Sequence, residues 1–214
     1  MSGWRATLRR RAGRRSRPLV DDVRRRHPRL REAVAADLDL ALVQRGEDPL
    51  DGTTLDLVAA ALRVAWQSDA FGALCWYRLK AACQRRRVPV VPRVAHHAAI
   101  RRAGLCIGDP VLVEPGVVLP HGQVVVDGFS VVGTGARLRP FVVIGLREGE
   151  LRGPTLGPGV RVGAGATVLG PVVIGRGATI GAGAVVLDDV PEGATVVGAP
   201  ARPVASTGPA PDPA

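Results

Sequence analysis

Aliphatic residues recur at every sixth position through the second half of the chain, and this repeat limits the possible folds more than any other feature. A six-residue period is too long for one amphipathic strand or one helical turn, and it is typical of the hexapeptide class of parallel β-helix. The sequence therefore predicts a solenoid of about four triangular coils, each with three short strands, inward aliphatic residues and small residues at its corners. The repeat is marked by Ile107, Val113, Leu119, Val126, Val132, Leu138, Ile144, Leu156, Val162, Val168, Ile174, Ile180 and Val186.

The residues before the repeat have the apolar spacing of helices instead. Asp51 and Thr53 are candidate N-caps for a helix that begins near residue 54, and Pro89 and Pro92 precede a last short helix. An α+β protein follows from these two patterns. We predict a disordered basic leader over 1–18, a helical domain over 19–103, a β-helix domain over 104–204 and a disordered tail over 205–214.

Composition excludes several classes of protein. The chain has 46% hydrophobic residues and a mean hydropathy of +0.15, which indicates a folded protein. Its formal charge of +10 comes from arginines, with Lys80 the only lysine, and the arginine runs contain no interleaved aromatic residues. We therefore expect no nucleic-acid partner. The N-terminus carries no signal-peptide pattern, no apolar run reaches membrane-spanning length, and the three cysteines have no metal-ligand or disulfide spacing. A cytoplasmic protein with no membrane partner is expected.

The stretch VVLPHGQVVV, residues 117–126, is where the repeat lengthens from six residues to seven. It contains His121, the one histidine of the repeat half. A neutral histidine suits base catalysis near pH 7, and a one-residue insertion can re-aim a side chain beside an active site. A lone histidine is more often structural, so the sequence pattern alone makes His121 a candidate general base and leaves a structural role open.

Four segments carry a resemblance to a known family. The repeats and the ending VPEGATVVGAPARPV (190–204) resemble the left-handed β-helix acyltransferases. Within that superfamily, EDPLD (47–51), AFGALCWYRL (70–79) and VVLPHGQVVVDG (117–128) resemble segments of serine O-acetyltransferase. The resemblance implies an enzyme that transfers the acetyl group of acetyl-CoA to L-serine in cysteine biosynthesis. It also implies a homotrimer, allows a dimer of trimers, and involves no metal.

The resemblance also implies roles for individual residues. His121 falls on the family's general base, Asp48 on the aspartate that holds the serine amino group, and Arg152, in the loop LRGPT, on the arginine that holds the carboxylate. Acetyl-CoA would lie in a groove between subunits, along the small corners GAGA (163–166) and GAGA (181–184), and the interruption over 145–155 would arch over the site. The candidate CoA-binding residues are Ala164 and Ala182 for the pantetheine arm and Arg176 or Arg202 for the phosphates.

Three positions depart from the family pattern. Cys106 stands where an aspartate supports the catalytic histidine, Pro120 replaces the acidic residue before that histidine, and Gly153 replaces a second histidine after the arginine. A cysteine stabilises an imidazolium less well than a carboxylate does. Two alternatives therefore stay open: an O-acetyltransferase of the same superfamily acting on a sugar or natural-product hydroxyl, and a non-catalytic β-helix scaffold.

Overall fold

The computed structural model describes residues 18–204, so the predicted tail and all of the predicted leader except Pro18 lie outside it. Five helices come first in this described part of the chain. Thr53 caps the third helix with a capping box that it shares with Asp56, and Ser68 caps the fourth through the Phe71 amide. The helices are α1 (18–26), α2 (Leu30–Val43), α3 (Thr54–Gln67), α4 (Asp69–Arg85) and α5 (Val91–Ala103).

Short strands follow, and they stack into three sheets that form the faces of a parallel β-helix. The strands are β1 (Cys106–Ile107), β2 (Leu112–Val113), β3 (Val125–Val126), β4 (Phe129–Val132), β5 (Arg137–Leu138), β6 (Val143–Gly145), β7 (Arg152–Leu156), β8 (Arg161–Val162), β9 (Thr167–Leu169), β10 (Val173–Ile174), β11 (Thr179–Ile180), β12 (Val185–Val186), β13 (Thr195–Val197) and β14 (Arg202–Val204). The β1 sheet has the order β1-β3-β6-β9-β12, the β2 sheet has the order β2-β4-β7-β10, and the β5 sheet has the order β5-β8-β11-β13-β14. All pairings are parallel except that of β13 with β14.

The predicted interior of the solenoid is confirmed. Every aliphatic residue that marks the six-residue repeat is buried, and its equivalents in the coils above and below stack on it. The solenoid has five coils rather than about four. The fifth forms because Val190 and Val196, which lie outside the regular repeat, still occupy inward positions beneath Ile174 and Ile180.

The interruption of the repeat is shorter than predicted. We expected a loop over 145–155, but only residues 146–151 lie between β6 and β7. Leu156 is inward and pairs with Val132, so the residues just before it are drawn into the β2 sheet. The placement of Arg152 in a loop was therefore wrong, because Arg152 is the first residue of β7.

The helices cover the open end of the first coil. That coil has no strand above it, so its carbonyl groups need donors from elsewhere. Helix α4 provides them: Lys80 donates to the carbonyl of Ile107, Tyr77 to that of Val111, and Arg78 to those of Val113 and Glu114. The buried face of α4 thereby fixes the helices on the β-helix.

Candidate active site

The insertion at His121 lies at a corner of the first coil. Gln123 and Phe141 occupy the same corner position in successive coils, since both have a left-handed backbone and the Phe141 amide donates to the Gln123 carbonyl at 2.8 Å. Gln123 follows its inward residue, Leu119, by four positions, whereas Phe141 follows Leu138 by three. The extra residue is therefore one of 120–122. The side chain of His121 is exposed, as expected for a residue displaced from the packed repeat.

Gly122 fixes this corner against the end of α5. A Cβ atom at Gly122 would overlap the carbonyl group of Ala103, and the Gln123 amide donates to that same carbonyl at 2.6 Å. Only glycine permits so close an approach of two backbones. The backbone on both sides of His121 is consequently tied to the helical part of the molecule.

His121 borders a cleft of about 850 Å³ between the helices and the first coil. The 117–123 segment forms one wall, and the other walls come from the ends of α2, α3 and α5 and the beginning of α4. Sequence analysis found none of the helical polar groups in it, because each comes from a different element. They include Arg45, which donates to Gln67 at 2.7 Å, and Arg102, whose guanidinium lies 3.5 Å from the Asp69 carboxylate.

Two of the predicted CoA-binding residues share an edge of the β-helix with His121. We call this the His121 edge; it consists of the corners 120–123, 139–141, 163–165, 181–183 and 198–201. Backbone hydrogen bonds join neighbouring corners, from Gly165 to Pro140 at 2.9 Å and from Gly183 to Ala164 at 2.8 Å. Ala164 and Ala182 are both exposed on it. The small corners thus form a flat strip that leads away from His121.

The two candidate phosphate-binding arginines lie on different edges. Arg202 follows the last corner of the His121 edge, with its side chain 65% exposed and 3.6 Å from the Asp188 carboxylate. Arg176 lies at a corner between β10 and β11, 3.9 Å from Glu192. Within one chain, only Arg202 is placed at the end of the strip that carries Ala164 and Ala182.

The predicted acceptor-binding residues are not brought to His121 within one chain. Asp48 is exposed in the connection between α2 and α3, and Arg152 is exposed at the start of β7; neither lines the cleft. The 146–151 loop also lies on another edge, where Arg147 donates to the carbonyl of Leu187. The loop therefore does not cover His121 of its own chain.

The structure explains one departure from the family pattern. Gly153 is buried, and a Cβ atom there would overlap the hydroxyl oxygen of Ser130, which donates to the Asp127 carbonyl at 2.6 Å. A histidine at this position would displace the Ser130 hydroxyl. Cys106 is half-buried in the outward row of the β1 sheet, and Pro120 lies in the cleft wall beside His121.

The cysteines are free thiols, and burial raises the pKa of Cys75 to about 12, so this thiol stays protonated near neutral pH. Within residues 18–204, no cluster of three His, Cys, Asp or Glu side chains is arranged to hold a metal ion. In the same part of the chain, no helix combines the length and apolar character that crossing a bilayer requires.

Comparison with known proteins identifies the family. Residues 153–188 match the model of the bacterial transferase hexapeptide (six repeats) family. A serine acetyltransferase of Synechococcus elongatus is 38% identical over 146 residues, which are 67% of this chain and 60% of that protein. A serine acetyltransferase of Helicobacter pylori (strain J99) is 38% identical over 134 residues, which are 61% of this chain and 78% of that protein.

Solved structures agree. Soybean serine acetyltransferase in complex with serine superposes with a TM-score of 0.69 and 33% identity, covering 83% of this chain and 70% of the other. A serine acetyltransferase in complex with CoA superposes with a TM-score of 0.64 and 26% identity, covering 79% and 68%. The predicted order, helices and then a left-handed parallel β-helix, is confirmed.

The chain spans about 60% of the length of the cyanobacterial relatives that it matches. It spans 78% of the Helicobacter relative at 38% identity and 70% of the soybean structure at 33%. The resemblance that the sequence segments carried is thereby confirmed: the chain belongs to the serine acetyltransferase family.

Proposed function

We propose that this protein is a serine O-acetyltransferase, which transfers the acetyl group of acetyl-CoA to L-serine and so begins cysteine biosynthesis. One observation carries the proposal: the exposed His121 lies on the same edge of the β-helix as the small corners of Ala164 and Ala182. Relatives in this family were solved in complexes with serine and with CoA.

The chemistry requires one base and no covalent intermediate. His121, as the neutral imidazole, accepts the proton of the serine hydroxyl while the hydroxyl oxygen bonds to the thioester carbonyl carbon. Backbone N–H groups at the corner stabilise the resulting oxyanion. The C–S bond then breaks, and the CoA sulfur takes the proton from the imidazolium, which yields O-acetylserine, CoA and neutral His121.

The His121 edge has the right length for the donor. Neighbouring coils are ~4.8 Å apart, so the corner of Ala182 lies roughly 14 Å from that of His121, three coils away. A pantetheine arm has about the reach of four extended amino-acid residues, also roughly 14 Å. The exposed Ala164 and Ala182 would let the arm lie against the backbone, and we assign the exposed Arg202 to the phosphates beyond them.

The outer surface of the β1 sheet favours a homotrimer. Its outward row runs through Cys106, Val125, Val143, Thr167 and Val185, which are in register on five neighbouring strands. Val125 and Val143 are 38% and 36% exposed in the isolated chain. A flat apolar face of this kind is suited to packing against another subunit, and the His121 edge borders it, so a groove between subunits would contain the site.

The acceptor site needs that second subunit. Neither Asp48 nor Arg152 lines the cleft beside His121 of its own chain, so we assign them to serine across the subunit boundary, Arg152 to the carboxylate and Asp48 to the amino group. Pro120 and Gly153, which packs against the Ser130 hydroxyl, favour a second candidate, an acetyltransferase with a sugar or other hydroxyl as its acceptor.

The test is CoA release by the purified protein with acetyl-CoA and a panel of acceptors: L-serine, serinamide, glucosamine and glucose. We expect release with L-serine alone, its loss in His121→Ala, and wild-type rates in His97→Ala, which removes an exposed histidine of α5. Release with a sugar and none with serine would select the second candidate. No release with any acceptor would contradict both.

A further inference from the structure

Phe141 has a backbone conformation that is unfavourable for its side chain. Its φ is 64°, in the left-handed region that a bulky residue rarely adopts. The equivalent positions of the next two coils are Gly165 and Gly183, with φ of 68° and 66°. Phe141 is 62% exposed, so packing within the chain does little to offset the strain. Strained residues that persist in a fold are concentrated at functional sites.

Phe141 also has a particular place on the His121 edge. Its amide donates to the carbonyl of Gln123, in the corner of His121, and the neighbouring Pro140 carbonyl accepts from Gly165, in the corner of Ala164. The Phe141 corner thus lies between those two, ~4.8 Å from each. A pantetheine arm that runs along this edge to His121 must cross it.

We propose that Phe141 determines donor binding at this site, because its ring packs on the end of the pantetheine arm next to the thioester. The inference rests on the donor side of the proposed function. The ring cannot turn into the β-helix, since the fully buried Val142 follows it in the chain and occupies the interior there. The left-handed backbone directs the ring outward, where it supplies an apolar surface on an otherwise flat strip of glycine and alanine and keeps water from the thioester.

The test separates a donor-binding role of the ring from a structural one. A ring that packs within the fold or the oligomer would lower the Tm when it is removed, whereas a donor-binding ring on a strained backbone would raise it. In Phe141→Gly the strain is relieved, so we expect the Tm to rise by about 2–4 °C. The same variant loses the apolar contact, so we expect CoA to bind about tenfold more weakly in calorimetry. Phe141→Asn, which tolerates the left-handed backbone, should weaken CoA binding to the same extent.

Val90→Gly is the matched control. Val90 also has a positive φ, 69°, here with a ψ of −55°, which a side chain likewise rarely adopts; it is 73% exposed, but it precedes α5 and lies off the His121 edge. We expect Val90→Gly to raise the Tm as Phe141→Gly does and to leave the CoA affinity unchanged.

Two results would overturn the inference. One is wild-type CoA affinity in both Phe141 variants; the other is a lower Tm or a dissociated oligomer, which would make the ring a packing residue. The proposed function can fail separately. If the wild-type protein binds CoA but does not acetylate serine, serine is not its acceptor, and the comparison of CoA affinities between the Phe141 variants and the wild type still tests the inference. Wild-type protein that binds no CoA overturns both.

Discussion

The Asp37 carboxylate joins the helices to the wall of the cleft, and its removal should cost much of the stability of the fold. It accepts hydrogen bonds from Arg78 at 2.7 and 3.0 Å and from the amides of Gly116 and Val117 at 2.9 and 3.0 Å. Both side chains of the pair are 1% exposed. The chain continues from Val117 to His121 in four residues, so this carboxylate also fixes where that segment begins.

Asp37→Ala should lower the free energy of unfolding by about 5 kcal/mol. An uncompensated buried charge costs about 3–5 kcal/mol, and each of the two orphaned amides adds roughly 1 kcal/mol or more. Asp37→Asn should cost less, because its amide oxygen still accepts. Urea unfolding followed by circular dichroism measures each change. The exposed Glu47–Arg63 pair is the control, and Glu47→Gln should leave the urea midpoint close to that of the wild type.

A double variant gives the sharper test. Replacing a buried ion pair by apolar residues is often neutral. Here, however, Arg78 also donates to the carbonyls of Val113 and Glu114, so Asp37→Leu with Arg78→Met would leave four backbone groups without partners. We expect the double variant to stay at least ~3 kcal/mol below wild type. Wild-type stability in the double variant, or a loss under ~1 kcal/mol in Asp37→Ala, would refute the reasoning.

Three further outcomes are expected. Burial, with Arg78 and Lys80 nearby, lowers the pKa of His27 from 6.5 to about 4, and neither ring nitrogen has a partner within residues 18–204, so the folded protein favours the neutral imidazole. The stability that His27 contributes is therefore complete above pH 6.5, and up to about 3 kcal/mol of it is lost as the pH falls to 4. Urea unfolding at a series of pH values should find this pH dependence in the wild type and not in His27→Leu. Gly122→Ala should push the corner off the Ala103 carbonyl and lower kcat for acetyl transfer at least tenfold with CoA affinity retained in calorimetry; an unchanged kcat would show that this contact does not position His121. Gly153→His should destabilise the fold by about 1–3 kcal/mol in urea unfolding without raising activity, and an active, stable variant would mean that the contact with Ser130 yields easily.

The β-helix was predictable because its period is set by one rule. Inward aliphatic residues must stack coil on coil, so the interior could be assigned from Ile107 to Val186 without a structure. The fifth coil was missed because Val190 follows Val186 after four residues rather than six. Strand β7 was missed because glycine and proline within Arg152–Leu156 suggested a loop, although its pairing with β4 extends it.

Only those parts of the site that a local sequence pattern marks could be predicted. His121 could be found from the seven-residue step, and Phe141 could also have been found, since it stands three residues after an inward residue, where Gly165 and Gly183 stand in later coils. The Asp37–Arg78 pair could not, because its partners are 41 residues apart and no local pattern joins them. The same is true of the cleft, whose walls come from the 117–123 segment and from four helices.

The central claim is that His121 takes the proton from the hydroxyl of serine. The most direct measurement is the rate of CoA release at saturating acetyl-CoA and L-serine by wild type and by His121→Ala, with acetyl-CoA affinity measured in parallel. The account predicts serine-dependent release in wild type and a loss of at least 100-fold in the variant, about the contribution of a general base, with donor affinity retained. Equal rates in the two proteins would contradict it.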